Sequence, residues 1–589
     1  RCRYTAYEVA VAVRRGVVFV ILLILAAVMA SAAAMFTVAL FVEPPPAVPA
    51  RATLSLPIEA PFDEIEPSDV LRQFLRRAPT LRTTIDTIAR AKADARIQAL
   101  VIRPSVTSAL WGQVQEIHDA IEDFKSSKKP VIAYLEAGGM ADYYLASAAD
   151  RVVMMPGGQL DVAGLASYEL FFRGALDKLG VYPDLLHIGD YKTASNTFTE
   201  KGFTTAHREM TASLNHDWYE AIVESVARDR KVSADAARTA LGGGPYLAEE
   251  AHGAGLVDEL AYDDQIDDAA PVQGTSAIDA ETYERAVDAE GTAADTGGRI
   301  ALLYAVGTIA SGKSSFDSPS GAVLGSDTFG EWLRKVRVDP AIRAVVVRIN
   351  SPGGSAIASE AIWRQMKLTR DVKPLIVSMG DVAASGGYYI AAPAQVIVAD
   401  PGTLTGSIGV VTGKFVVQGA LDKIGVGTGG ASDGTFADIY SPFRPFSPDE
   451  RAKVEEQMQT TYERFLSRVA EGRREPAEKV DAVAQGRVWT GRQARGIGLV
   501  AELGGLDRAI AIAKDRAKLD PSKGVRLVVY PPKRSFYDLL SNPFNMSLSA
   551  RLGLDLVPAE ARAVDSAASI FQLFRRGEPL AIMPNIFVH

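Results

Sequence analysis

The sequence predicts an α/β protein made of two tandem copies of one domain, set behind a single N-terminal transmembrane helix. Three observations predict it. Gly174-Ala-Leu-Asp-Lys-Leu-Gly-Val181 recurs as Gly419-Ala-Leu-Asp-Lys-Ile-Gly-Val426, an offset of 245, and self-similarity at one fixed spacing marks a duplication. Short β-branched runs alternate with spacers of helical length, the pattern of strands joined by crossover helices. Residues 17–42 carry no charge, more than the roughly 20 apolar residues a helix needs to cross a bilayer.

Taken in order, residues 1–16 hold Arg1, Arg3, Arg14 and Arg15, whereas Glu43 and a proline-rich linker (43–51) follow the apolar stretch. The positive-inside rule then puts the N-terminus in the cytoplasm and everything after residue 43 on the far side of a membrane crossed once. A cleaved signal peptide is the alternative, with Ala-Ser-Ala-Ala-Ala at 30–34 as the mimic of a cleavage site, but the apolar run is longer than a signal peptide's usual core. A formal net charge of −8 gives the molecule as a whole no cationic surface for nucleic acid. The only cysteine is Cys2, so neither an intramolecular disulfide nor a cysteine-built zinc site can form.

The first copy spans 52–262 and the second 299–515. At the offset of 245, IQALVIR (97–103) meets IRAVVVR (342–348), Tyr143-Tyr144 meets Tyr388-Tyr389, and Gly164 meets Gly409; beyond a net two-residue deletion Phe203 meets Phe446 and Tyr219 meets Tyr462. One helix is well signalled in the second copy: Ser447 as N-cap, Pro448 at the first position, Glu450 closing a capping box, and Val454, Met458, Tyr462, Phe465 and Val469 on one core-facing stripe. Residues 263–298 are acidic and lack an apolar period, the composition of a linker. Residues 516–589 form an extension without a counterpart in the first copy.

The chemistry is suggested by what each copy lacks. The second copy has Asn350-Ser-Pro-Gly-Gly-Ser355 directly after a strand, a turn able to aim backbone N–H groups of Gly353 and Gly354 at an oxyanion. Its Asp381-Val-Ala-Ala-Ser385-Gly-Gly-Tyr-Tyr389 puts Ser385 at a strand-to-helix junction, and Thr405-Gly-Ser407-Ile-Gly409 adds another hydroxyl. In the first copy Ser385 faces Met140 and Ser407 faces Val162, but that copy carries Asp190-Tyr191-Lys192-Thr193, whose lysine faces Ala437. A serine hydroxyl needs an adjacent base. The second copy has no histidine before His589, although the first could lend His187, and a buried lysine can lose its proton and serve instead.

These motifs resemble the signal peptide peptidase A (protease IV) family, in its long double-domain form, within the Clp protease and crotonase superfamily. The resemblance covers about residues 50–515. It implies Ser385 as nucleophile, Lys192 as general base, Ser407 orienting the lysine amine, and Gly353 or Gly354 donating to the oxyanion. It further implies a homotetramer acting on signal-peptide remnants, with no cofactor and no metal. Two other classes share parts of the pattern: a crotonase-like acyl-CoA hydratase or isomerase, and a non-catalytic membrane scaffold. Gly307-Thr-Ile-Ala-Ser-Gly312-Lys313-Ser314 matches a phosphate-binding loop, but Pro319, Gly321 and Gly325 oppose the helix that such a loop needs directly after it.

Overall fold

The computed structural model describes residues 24–25, 28–29, 31, 46–65, 80–106, 109–268, 274–291, 296–315, 321–532, 578–583 and 587–588. The transmembrane helix expected at 17–42 lies outside them but for five positions, and among the described residues no helix is long and apolar enough to cross a membrane. The chain divides into two compact units, Arg1–Ala50 with Glu281–Thr292, and Arg51–Ala280 with Ala293–His589. Both repeats belong to the second.

Within that unit the repeat is visible element by element. Helices begin at Leu81 and Ser326, at Trp111 and Ala356, and, after the deletion, at Thr205 and Pro448. The predicted capped helix is Pro448–Arg473, with the Ser447–Glu450 capping box formed and the whole predicted stripe buried. Its counterpart Thr205–Arg230 has the same 26-residue length.

Each copy builds one mainly parallel sheet. In the first, the central order is Arg151–Asp161, Val131–Gly139, Ile97–Ser105, Ala52–Glu59; in the second, Leu375–Ala384, Ile342–Ser351, Thr296–Val306. Leu100, Val101, Ile102 and Val345, Val346, Val347 are all at most 1% exposed. Such unbroken apolar runs belong to strands covered on both faces, each side chain contributing about 1.5–3 kcal/mol on burial.

Two assignments from composition change. The stretch 263–298 contains the strand Ser276–Asp279, which pairs in parallel with Ala52–Glu59 and closes the edge of the first sheet. Residues past 515 contain Gly524–Tyr530, which pairs in parallel with Thr296–Val306 and closes the second sheet in the same way. One strand of the extension, Gly524–Tyr530, therefore has a structural counterpart in Ser276–Asp279, which lies in 263–298, after the first copy's 52–262. A four-residue edge strand, Ser-Ala-Ile-Asp, buries too little to leave an apolar signature.

A third sheet joins the copies. Its order is Val323–Gly325, Thr308–Ala310, Gly353–Ser355, Leu580–Ile582, Val410–Val416, Tyr182–Ile188. The last strand comes from the first copy and runs antiparallel to Val410–Val416 of the second, from Tyr182 opposite Val416 to Ile188 opposite Val410. Asp184, buried on that strand, accepts from the Phe446 N–H at 2.7 Å and pairs with Arg451 at 2.5 Å. The strand that precedes Lys192 is thus fixed to the second copy by both backbone and charge.

Candidate active site

Ser385 occupies the single residue between the strand Leu375–Ala384 and the helix Gly386–Ala391, at φ 55° and ψ −111°. Positive φ is uncommon for a residue with a Cβ and persists only where the surroundings impose it. Here the Ser385 N–H donates to the Gly406 carbonyl at 2.7 Å, and its carbonyl accepts from the Tyr389 N–H at 2.8 Å. Ser407 is also left-handed, at φ 51°, held by its N–H donating to the Arg487 carbonyl at 2.7 Å.

Lys192 follows the interlocking strand by four residues. The Tyr191 N–H donates to the Gln485 carbonyl at 2.8 Å, and the Lys192 N–H to Gly189 at 3.0 Å. Two glycines of the second copy make room for the side chain. A Cβ on Gly486 would stand 2.5 Å from the Lys192 backbone nitrogen, and one on Gly409 would stand 3.1 Å from Lys192 Cδ. Neither Lys192, Ser385 nor Ser407 has measurable solvent exposure.

The Lys192 amine lies 2.7 Å from Ser385 Oγ, 2.8 Å from the Ser407 carbonyl oxygen and 3.0 Å from Ser407 Oγ. Burial, unopposed by any carboxylate, pushes the lysine well below its ordinary range. A neutral amine has two N–H groups and one lone pair. If both N–H groups donate to Ser407, to its carbonyl and to its hydroxyl, the lone pair is left facing the Ser385 O–H, the orientation a proton acceptor requires. His187 is not part of this arrangement: it is exposed, with Nδ1 3.1 Å from the Gly189 carbonyl.

Gly353 and Gly354 stand on the neighbouring strand at φ 101° and 149°. The Gly353 N–H points at Ser351 Oγ, 3.2 Å away. Sequence reasoning passed over Gly386, whose N–H directly follows Ser385; the residue after a nucleophile is a common oxyanion donor, and that rule was the available signal. It also passed over Gly486, whose part in admitting the lysine depends on contact across the copies. In the first copy the equivalent of the Ser385 junction is Met140, first residue of the helix Met140–Ser147, without a hydroxyl. Among the described residues, the stretch Gly307–Ser314 contains the strand Thr308–Ala310 and is followed by the strand Val323–Gly325, and the first helix after it begins at Ser326.

Residues 123–273 and 367–520 match a single peptidase family, one stretch in each copy. The molecule is a serine-type endopeptidase. It belongs to peptidase family S49. It is 34% identical over 483 residues to the chloroplastic serine protease SPPA of Arabidopsis thaliana, covering 80% of this chain and 71% of that one. It is 35% identical over 483 residues to protease 4 of Salmonella typhi, covering 80% and 76%, and 33% identical over 443 residues to protease 4 of Haemophilus influenzae, covering 72% and 71%. The acyl-CoA and scaffold alternatives find no support in these relatives.

Proposed function

We propose that this chain is a membrane-anchored endopeptidase that degrades cleaved signal peptides and similar apolar peptides with a serine–lysine dyad assembled from both copies. Ser385 is the nucleophile and Lys192 the general base. The observation that carries the reading is the 2.7 Å approach of a buried, uncompensated amine of one copy to a hydroxyl of the other. Lys192 takes the Ser385 proton as Oγ attacks the peptide carbonyl, then returns it to the departing amine. Ser407 keeps the amine aimed. The Gly354 N–H, or the Gly353 N–H once it leaves Ser351 Oγ, holds the oxyanion, and water releases the acyl group from Ser385.

We read each copy as a Clp protease/crotonase-type domain and the assembly as a homotetramer, both on the family resemblance. Anchoring rests on the uncharged stretch 17–42 and the arginines before it. An extracytoplasmic site held at the membrane meets released signal peptides where they are left. The test of the dyad is kinetic: Ser385→Ala and Lys192→Met each lower kcat/KM for an apolar peptide ester by at least about 10³-fold while the fold is retained. Turnover within tenfold of wild type in either variant removes that residue from the mechanism.

A further inference from the structure

The stretch Gln485–Arg487 of the second copy is bonded to the backbone on both sides of the Lys192 amine. The Gln485 carbonyl accepts from the N–H of Tyr191, the residue before Lys192, at 2.8 Å. The Arg487 carbonyl accepts from the Ser407 N–H at 2.7 Å, and the Gly486 N–H donates to the Ile408 carbonyl at 2.8 Å. Three consecutive residues therefore set where the lysine stands relative to the hydroxyl that aims it.

The side chain of Arg487 reaches back to the first copy. Its guanidinium carbon lies 4.6 Å from the centroid of the Tyr191 ring and 4.6 Å from that of Trp489. Nη1 donates to Glu209 Oε1 at 2.8 Å, and Tyr191 closes the triangle, its hydroxyl donating to Glu209 Oε2 at 3.0 Å. A planar guanidinium stacks on rings and pairs with a carboxylate at once, which an ammonium does not. The Glu209 side chain is 54% exposed, so the ion pair is a weak stabiliser of the fold. What the triangle fixes is Tyr191, and through it the start of the lysine side chain.

Comparison of the copies separates side chain from backbone. At the offset of 243 Arg487 meets Gly244 and Glu209 meets Ala452, and at 245 Tyr191 meets Phe436. The backbone link survives without them: the Gly244 N–H donates to the carbonyl of Val162, the counterpart of Ser407, at 3.1 Å. Arginine and carboxylate are each present in one copy alone, as Ser385 and Lys192 are, and they meet across the joint.

We propose that Arg487 is a positioning residue for the reaction: paired with Glu209 and stacked on Tyr191 of the other copy, with its own carbonyl on Ser407, it keeps the Lys192 amine aimed at Ser385. This rests on the Ser385–Lys192 reading above. Arg487 acts through Lys192 and Ser407, so its loss falls on kcat; misplacing a reacting group by about 1 Å can cost roughly 10²-fold.

The experiment measures kcat and KM for an apolar peptide ester in the full chain as wild type, Arg487→Ala, Arg487→Lys, Glu209→Ala and the Arg487→Ala/Glu209→Ala pair, with Ser385→Ala as control and a urea unfolding midpoint for each. Arg487→Ala should lower kcat about 10- to 100-fold with KM within about twofold. Arg487→Lys, able to pair with Glu209 but not to stack, should recover part of that loss, and the pair should be no slower than Arg487→Ala alone. A raised KM with kcat intact, a kcat within about twofold of wild type in Arg487→Ala, no recovery in Arg487→Lys, or a combined loss equal to the product of the single losses would each overturn the proposal. If Arg487→Ala does not fold, Glu209→Ala decides: kcat lowered at least about threefold at unchanged KM supports the clamp, and unchanged kcat overturns it. These outcomes leave the dyad standing while Ser385→Ala is inactive. Wild-type turnover in Ser385→Ala overturns the dyad reading itself, and this proposal with it.

Discussion

Lys192 and Ser385 are costly as single residues. A lysine without solvent or counter-charge is stable only uncharged, and a serine at φ 55° and ψ −111° stores of order 1–3 kcal/mol of backbone strain. Both costs fall on the pair proposed to react, where they serve to keep a lone pair and a hydroxyl in contact. The lysine's depressed value fixes the sign of a pH effect. Below it Lys192 is protonated and cannot accept a proton, so kcat/KM should fall as pH drops through that value and hold above it, far below the usual lysine range. The unfolded chain keeps that lysine protonated to about pH 10.4, so between the two values this residue's contribution to stability rises with pH. A pH–rate profile for peptide-ester hydrolysis checks the first statement; an acid limb that stays in place in Lys192→Met assigns it to another group.

At the scale of elements, legibility followed the repeat. The helix Pro448–Arg473 was readable because its cap, its proline and its stripe are local, and the structure forms each of them. Ser447→Ala removes the side chain that accepts from the Glu450 N–H at 3.3 Å and should lower unfolding free energy by about 1 kcal/mol, measured by denaturant titration; no change would mean the capping box contributes nothing here. The strand Tyr182–Ile188 shows what local pattern cannot say. Its partner, Val410–Val416, lies at no repeat offset, so no comparison of the copies could announce that the first lends a strand to the second. Ser276–Asp279 and Leu580–Ile582, four and three residues long, carry too few side chains for periodicity to register. The candidate residues were legible for the opposite reason: Ser385, Ser407 and Lys192 each survive in one copy and are missing from the other.

For the whole molecule, the joint between the copies rests on buried charge as well as on the shared sheet. Arg348 of the second copy, without solvent exposure, pairs with Glu64 at 2.8 Å and with Glu116 at 2.5 Å, both from the first. Asp381 and Asp400 of the second copy complete the cluster, with Tyr304 and Asp119 close enough to act on it. Four carboxylates around one guanidinium cannot all ionise cheaply. Burial pushes Asp400 well above the usual carboxylate range, and raises Asp381 to about 7. In the unfolded chain Asp381 loses its proton near pH 4. Between about 4 and 7 the folded form holds the extra proton, so stability falls as pH rises, by at most roughly 4 kcal/mol from this group. Asp381→Asn keeps an acceptor for the Gln113 N–H, which Asp381 Oδ1 meets at 2.9 Å, and should flatten that part of the curve when unfolding midpoints are compared across the window. An unaltered slope would place the proton elsewhere.

That joint matters because the proposed reaction centre exists only while the copies are docked. The most direct measurement is the double-variant cycle: kcat/KM for one apolar peptide ester in wild type, Ser385→Ala, Lys192→Met and the two combined. Residues acting as one unit give a combined variant no slower than the worse single. That is the predicted result, whereas a combined loss equal to the product of the two single losses would contradict a shared reaction centre.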